Sequence, residues 1–255
     1  MEDIYRQPPI IDPPLMNAAG SLGFAPDLRA SIPWKDFGAF LTNPISLHSR
    51  MPASGKRWLE FAGGVLLHTG HPNPGFRQVL KQFRARWAQS PLPVIVHLLA
   101  SDPQEIQTCV LQLEVVENVL AVEIGFPASI DVHAMADILS AAQGELPVIA
   151  RLSLDRSREL ALDAIQAGAT AVSLGPPRGS LPSGKGLSHG RIYGPAVYPL
   201  ALQVVHQLHM MDVAVIGAGG IYQRPQADEM RRAGAWAVQV DLALWRGDWV
   251  DEERA

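Results

Sequence analysis

The chain is built from short, mostly uninterrupted apolar runs that are separated by longer amphipathic segments. Eight such runs lie at residues 15–18, 39–42, 94–98, 121–124, 148–152, 171–174, 213–216 and 237–240. Continuous apolar residues, in contrast to alternating ones, are typical of parallel strands that are buried on both faces. We therefore predict eight strands of a parallel sheet.

Helical patterns occupy most of the intervals between these runs. Residues 73–88 carry apolar side chains at helical spacing, and residues 101–105 (SDPQE) open the next helix with a capping residue and an early proline. Further helices are predicted at 131–142, 156–167, 195–208 and 224–233. Gly168 and Gly234 follow two of them, as expected where a helix ends before a buried strand.

Strands and helices that alternate along the whole chain predict an α/β fold, a (β/α)8 TIM barrel that forms one domain over residues 1–255. A doubly wound sheet is the structural alternative. Two connections are long, and we predict loops at 47–75 and at 175–194, the second of them exposed and rich in Gly, Pro and Ser. Both would lie at the C-terminal face of the barrel, where enzymes with this fold place their sites.

Composition and charge narrow the function. The net charge of −4 and a pI of about 6.0 give no reason to expect a nucleic-acid partner. The single cysteine, Cys109, excludes an internal disulfide and is expected to be a small buried hydrophobe. No apolar run approaches the length of a membrane span, and residues 1–14 lack the pattern of a signal peptide. We expect a cytoplasmic protein that binds a small molecule and no membrane.

A glycine-rich turn is the clearest candidate for ligand binding. Residues 217–220 (GAGG) end an apolar run and precede a helix, and a further apolar run follows, which is the order of a βαβ unit. Glycines at the end of a strand allow backbone N–H groups to face an anion, and the helix N-terminus adds positive potential. A phosphate site and a tight connection without a ligand are both consistent with this turn.

Several segments, in order along the chain, resemble the dihydroorotate dehydrogenase family. Residues 16–20 (MNAAG) look like the family's turn against the flavin, and residues 70–76 (GHPNPGF) are similar to its Gly-Leu-Pro-Asn-x-Gly-Phe segment. Residues 193–202 (YGPAVYPLAL) resemble its Ser-Gly-x-x-(Ile/Val)-x-Pro-x-Ala-Leu helix start. Residues 216–221 and 234–240 match its phosphate-binding end without gaps. On these motifs the chain is identified as a divergent member of the family.

The resemblance implies a barrel that binds FMN and oxidises dihydroorotate to orotate in pyrimidine metabolism. Carried over position by position, it implies FMN contacts at Ala19, Gly20, Asn43, Arg151, Gly194, Gly219 and Gly220. It also implies a possible homodimer.

The substrate positions of the family are not retained. Where the family binds dihydroorotate with asparagine side chains, this chain has Leu67, Glu123, Ala128 and Gly175. Leucine and alanine make no side-chain hydrogen bonds, and an ionised glutamate only accepts them. The loss of several polar partners costs a few kcal/mol each, so we expect that dihydroorotate is not the substrate.

The catalytic and cofactor positions also differ. Phe126 replaces the family's Cys or Ser base, and Asn43 replaces its strand-two lysine. Arg151 replaces a later lysine and would keep a charge beside the flavin, or it pairs with Glu123 on the adjacent strand. Asp241 and Leu242 depart from the family's phosphate motif. A carboxylate there would repel a phosphate, unless it points away and caps the helix that follows.

The remaining polar candidates are in the two long connections. His68 and His71 are the weak catalytic candidates, together with Arg151, whereas His97 on a strand is expected to be a satisfied core or pocket histidine. His68 and His71 have no third ligand nearby, so no metal site is predicted. The second connection offers an anion-binding lid or a flexible loop, with the side chains of Arg178, Lys185, His189 and Arg191.

Three functions follow from the sequence. The leading hypothesis is an FMN-dependent oxidoreductase that acts on a compound other than dihydroorotate. The second is a non-catalytic barrel that binds a ligand or partner. The third is a flavin-free lyase or isomerase that acts on a phosphorylated substrate and uses His68 or His71 for proton transfer.

Overall fold

The structure, a computed structural model, describes residues 7–100, 102–184 and 186–250. A sheet of eight parallel strands runs through it. These are β1 (Leu15–Asn17), β2 (Phe40–Leu41), β5 (Val94–Leu99), β6 (Val119–Gly125), β7 (Val148–Ser153), β8 (Ala171–Gly175), β11 (Val215–Ala218) and β12 (Ala237–Val240). Their order is β1-β12-β11-β8-β7-β6-β5-β2. The predicted (β/α)8 TIM barrel is confirmed.

The first and last strands of this order meet and close the barrel. Met16 forms a parallel bridge with Ala39. The Asn17 side chain donates to the Leu41 carbonyl (2.7 Å) and accepts from the Leu41 amide (2.9 Å). A buried amide side chain thus takes the place of ladder hydrogen bonds where β1 and β2 are short.

The helices surround the barrel close to their predicted positions. They are α1 (Phe76–Ala88), α2 (Pro103–Leu113), α3 (Val132–Ala141), α4 (Ser157–Gln166), α5 (Tyr198–His209), α6 (Arg224–Arg232) and α7 (Leu242–Arg246), with short 3-10 helices at Trp34–Asp36 and Pro195–Val197. The Asp102 side chain caps α2 by accepting from the Gln104 and Glu105 amides, whereas Ser101 lies outside the described residues. Cys109 is buried in α2, as predicted. Among the described residues, no helix is long and apolar enough to cross a bilayer.

The prediction that both long connections are loops is wrong. They contribute β3 (Trp58–Phe61), β4 (Gly64–Leu67), β9 (Arg178–Ser183) and β10 (Gly186–Tyr193), which form a second, antiparallel sheet in the order β3-β4-β10-β9. Side chains along β9 alternate between exposed and half-buried, so the strand lacks the apolar run that marks the barrel strands. This sheet stands at the C-terminal end of the barrel strands because both connections leave from that end.

The barrel interior has an apolar layer with a polar layer above it. The apolar layer contains Met16, Leu41, Ile95, Ala121, Ile149, Ala171, Ile216 and Ala237. Side chains two residues apart on a strand point to the same side, so the next inward positions toward the C-terminal end are Ala18, Asn43, His97, Glu123, Arg151, Ser173, Ala218 and Gln239. Six of these eight residues are polar, and they form the floor of the site.

Candidate functional site

Glu123 is the centre of the polar layer. Its Oε1 accepts hydrogen bonds from the Ser173 hydroxyl (2.6 Å) and the Gln239 amide (2.7 Å). Its Oε2 lies 2.5 Å from His97 Nδ1 and accepts from Arg151 Nη1 at 3.2 Å. Four other strands, β5, β7, β8 and β12, therefore supply donors across the barrel interior to one fully buried carboxylate.

These contacts keep Glu123 ionised. Burial alone would raise the pKa of this carboxyl, but the charge of Arg151 and the hydrogen bonds from His97 and Ser173 outweigh it and hold the pKa well below its usual range. The interpretation of Arg151 as the ion-pair partner of Glu123 is thus confirmed. Arg151 Nη1 also donates to Gln239 Oε1 (3.1 Å), which fixes the guanidinium between two strands.

A cavity of about 310 Å³ lies above this layer. We call it the cationic cavity because basic side chains dominate its polar wall: Arg50, His68, His71, His97, Arg151, Arg178 and Arg191. Leu67, Gly125, Phe126 and Gly175 also line it, and no aspartate or glutamate is among its described lining residues. A cavity with this wall favours a negatively charged ligand.

The structure brings the three catalytic candidates, His68, His71 and Arg151, together in the cationic cavity. His71 adopts a left-handed backbone conformation, with φ of 53°, which is uncommon for a residue with a side chain. Asn73 holds this turn by donating to the His71 carbonyl (3.1 Å) and to Ser46 Oγ (3.0 Å). Burial, followed by the charge of Arg191, lowers the pKa of His71 to about 2, so its ring is neutral at neutral pH.

A second cavity, of about 380 Å³, adjoins the first at Leu67 and Thr69. We call it the aromatic cavity because Trp58, Tyr193 and Trp245 contribute to its wall, and the Trp58 and Trp245 rings lie 5.2 Å apart. The predicted flavin contacts Ala19 and Gly20 line it, together with Asp241 and Leu242. The two cavities together extend across the C-terminal ends of the barrel strands.

Asp241 behaves as the helix cap that the sequence allowed. Its Oδ1 accepts from the Leu242 amide at the start of α7. Burial raises the pKa of this carboxyl to about 6, although Leu242 and Arg151 act in the opposite direction. Asp241 is nevertheless one of the residues that line the aromatic cavity.

Arg151 lines the cationic cavity, and the remaining predicted flavin contacts, Asn43, Gly194, Gly219 and Gly220, are not among the lining residues of either cavity. Asn43 Oδ1 accepts from the Gly23 amide (3.1 Å), so its oxygen is engaged by a loop. Gly194 is buried in backbone contact with Gly63 and Gly64. Gly219 and Gly220 are also buried, and among the described residues neither amide has a hydrogen-bond acceptor. Buried unpaired amides are rare, which fits a cradle for an anion.

Of the four basic side chains predicted for an anion-binding lid, two line the cationic cavity. Arg178 and Arg191 stand opposite each other in the β9–β10 pair and line the cationic cavity, whereas Lys185 lies outside the described residues. His189 instead pairs with Ser180 Oγ (2.6 Å) across the same two strands. Arg50 was missed from the sequence because it lies in a loop without a motif. His97 was placed as a core or pocket residue, and it is both buried and part of the cavity wall.

Fold and site together define a (β/α)8 barrel with a ligand site at the C-terminal ends of its strands. No model of a known protein family matches the chain. Dihydroorotate dehydrogenase A (fumarate) from Lacticaseibacillus paracasei is 30% identical over 255 residues, which cover 90% of this chain and 87% of that protein. The catalytic subunit of dihydroorotate dehydrogenase B (NAD(+)) from Desulforudis audaxviator is 28% identical over 252 residues, covering 90% and 82%. The chain belongs to the dihydroorotate dehydrogenase family, as its motifs indicated.

A solved structure supports the same fold. The crystal structure of DHODH from Eimeria tenella in complex with ferulenol superposes on this chain with a TM-score of 0.73 at 16% sequence identity. The superposed region covers 92% of this chain and 77% of the Eimeria chain. The scaffold is therefore shared, while the substrate and base positions differ from the pattern of the family as described above.

Proposed function

We propose that the chain is an FMN-dependent oxidoreductase that acts on a small organic anion other than dihydroorotate. The observation that carries this proposal is the wall of the cationic cavity, with four arginines and no carboxylate among its described lining residues. Guanidinium groups bind carboxylates in a bidentate manner, so a ligand with one or two carboxylates matches this wall.

The same wall argues against dihydroorotate. Leu67, Phe126 and Gly175 line the cavity at positions where the family has asparagine or a catalytic hydroxyl or thiol. None of them offers a side-chain donor or acceptor to an imide. Ser129, the nearest hydroxyl in sequence to Phe126, is exposed and is not among the residues that line the cavity.

Several of the residues in and around the two cavities are suited to FMN. Ala19 and Gly20 would contact it in the aromatic cavity, and Arg151 and Asn43 lie at the barrel positions that the family uses. The unpaired amides of Gly219 and Gly220 suit its phosphate. When bound, FMN would supply the acceptor for two electrons.

Asp241 opposes the phosphate. Asp241 directly follows β12, and the Gly219–Gly220 turn directly follows the neighbouring strand β11, so both lie at the C-terminal ends of adjacent strands. Two like charges about 5 Å apart in a partly buried site would repel by several kcal/mol. We therefore expect FMN affinity to be higher at pH 5.5 than at pH 8, because the Asp241 carboxyl is neutral below its raised pKa.

The test is the visible spectrum of the purified protein before and after FMN addition and desalting, with wild type and Asp241→Asn side by side. We expect a flavin spectrum that persists, more completely in the variant. A panel of mono- and dicarboxylic acids, with dihydroorotate included, is then screened anaerobically for flavin bleaching. Bleaching by an acid from the panel and not by dihydroorotate supports the proposal. Dihydroorotate oxidation, or no FMN binding by either protein, overturns it.

Asp241 and the absent base favour a second candidate, a non-catalytic barrel that binds an anion. In that case neither protein retains FMN, yet inorganic phosphate or a dicarboxylate still stabilises the fold. The flavin-free lyase or isomerase has less support, because His68 and His71 line the cationic cavity, whereas its phosphate cradle at Gly219 and Gly220 lies outside both cavities.

A further inference from the structure

The ring of His97 lies between a buried carboxylate and the cationic cavity. Glu123 Oε2 is 2.5 Å from Nδ1, and the two side chains are 0% and 3% exposed. An ionised carboxylate can only accept hydrogen bonds, so His97 Nδ1 must carry a proton and donate it to Glu123. In the neutral ring, Nε2 then holds a lone pair.

The Nε2 side of the ring faces the cavity. His97 is a lining residue, as is Gly125 on the next strand. A Cβ atom at position 125 would lie 2.6 Å from His97 Nε2, so the glycine leaves this nitrogen uncovered. Among the described residues, His97 Nε2 has no hydrogen-bond partner. It is also not one of the fully buried atoms without a partner, so part of its surface is open. It is therefore accessible from the cavity.

We propose that His97 Nε2 is the proton acceptor of this site and that Glu123 is its positioning residue. A bound anion, held by Arg151 and Arg191, loses a proton from a carbon–hydrogen or heteroatom–hydrogen bond. The electron pair of that bond stays on the ligand, and a new N–H bond forms at Nε2. The imidazolium is balanced by Glu123, and the proton leaves through the open cavity.

This assignment replaces the lost Cys or Ser of the family with a base on another strand. His97 is on β5, one strand before the Phe126 position. Burial lowers the pKa of His97 more than Glu123 raises it, and Arg151 and Arg191 add to the lowering, so the ring is neutral before the ligand binds. The inference rests on the proposed anion-binding cavity, but it does not require FMN.

The first test is the tautomer of His97, measured by ¹⁵N NMR on histidine-labelled wild-type protein at neutral pH, with the resonance assigned by His97→Gln. We expect a neutral ring with the proton on Nδ1. A proton on Nε2, or a charged ring, overturns the proposal. Glu123→Gln is the informative variant, because its amide can donate to Nδ1 and move the proton to Nε2. The tautomer and its change in Glu123→Gln report the Glu123–His97 contact, and the role in proton transfer is tested by the accessibility and kcat measurements that follow.

The second test is accessibility and needs no variant. Diethyl pyrocarbonate acylates unprotonated imidazole nitrogens, and peptide mass spectrometry gives the rate for each histidine. We expect acylation of His97 in the folded protein and slowing by about tenfold when inorganic phosphate is present at about ten times its dissociation constant. The exposed His48 is the internal control and keeps its rate. Unreactive His97 beside reactive His48 contradicts the proposal.

The two proposals fail separately. If phosphate does not bind, the cationic-cavity function is wrong, while the tautomer still reports on His97. Once a substrate is found, His97→Gln is expected to lower kcat by about 10²–10⁴-fold with little change in KM, as for loss of a general base. Glu123→Gln should shift the pH profile of kcat/KM. An unchanged kcat in a folded His97→Gln protein overturns the role.

Discussion

Asp241 caps a helix, is buried, and lines the cavity in which we expect a charged ligand. It is 7% exposed, it caps α7, and burial raises its pKa from 3.8 to about 6. The folded state therefore binds the Asp241 proton more tightly than the unfolded state. The contribution of Asp241 to the free energy of unfolding is therefore most favourable below the unfolded pKa. It decreases as the pH rises from about 4 to about 6, and above that pH the destabilisation by the buried carboxylate is constant.

We predict that Asp241→Asn stabilises the protein at neutral pH. The amide keeps the capping oxygen and removes the buried charge, so the free energy of unfolding at pH 7 should increase by about 2–3 kcal/mol, since each pKa unit is worth about 1.4 kcal/mol. Urea unfolding at pH 4.5 and pH 7 measures it, and the gain should shrink at the lower pH. The exposed Asp248→Asn is the matched control and should be close to neutral. Equal effects of both variants at both pH values would show that Asp241 carries no special cost.

Arg151 is tied to Glu123 and Gln239, so its loss leaves a buried anion without its cation. We predict that Arg151→Met destabilises the protein by about 3–5 kcal/mol at neutral pH. The folded pKa of Glu123 is lowered, so stability from this ion pair is present above the unfolded pKa and disappears as pH falls through acid values. The gap between wild type and variant in urea unfolding should therefore narrow toward acid pH.

Two further variants make the Arg151 prediction specific. Arg224→Met removes an exposed i,i+4 pair with Asp228 and should cost less than about 0.5 kcal/mol. The double variant Glu123→Gln/Arg151→Met should be more stable than Arg151→Met alone, because the uncompensated charge is gone. Additive losses in the double variant would mean that the two side chains are not coupled.

At the scale of elements, the apolar runs predicted the eight barrel strands but placed some of their ends imprecisely. The run at 213–216 became β11, Val215–Ala218, and the run at 39–42 shortened to β2, Phe40–Leu41. The antiparallel sheet could not be predicted in this way. Its strands β9 and β10 are buried on one face only and contain glycines at close contacts, so their sequences have the composition of a loop and no continuous apolar run. Pairing across more than 100 residues of sequence, as between Leu67 and Arg191, leaves no local signal.

The contact between Gly64 and Gly194 joins the two hairpins of this sheet. Gly64 has φ of +150°, and a Cβ there would lie 2.0 Å from the Tyr193 carbonyl oxygen. We predict that Gly64→Ala costs about 1–3 kcal/mol or more, by overpacking at a backbone contact. Gly186→Ala has open space around it and should be tolerated. Urea unfolding and limited proteolysis of β9–β10 measure both, and equal behaviour of the two variants contradicts the docking role of Gly64.

At the scale of the whole molecule, charge is distributed unevenly. The net charge is −4, yet four arginines line one cavity at the C-terminal end of the barrel. Composition alone could not predict this, because Arg50, Arg151, Arg178 and Arg191 are far apart in sequence. The barrel topology brings Arg151 to the site, and the unpredicted second sheet brings Arg178 and Arg191. The sequence therefore located the end of the barrel that holds the site, identified Glu123–Arg151 and offered Arg178 and Arg191 as part of an anion-binding lid, but it missed Arg50 and the strands that carry the lid.

Arg191 tests whether that wall serves a ligand. Burial, and the neighbouring charges of Arg178 and Arg151, lower the pKa of this guanidinium, so its charge is costly to keep in the ligand-free fold. We predict that Arg191→Met raises the melting temperature in the absence of anions. In wild type, inorganic phosphate at about ten times its dissociation constant should add about 1.4 kcal/mol, or roughly 3–6 °C, relative to chloride at equal ionic strength. The variant should lose most of that gain. If the variant is less stable without phosphate and gains equally with it, Arg191 is a structural residue, and the anion binds elsewhere on the molecule.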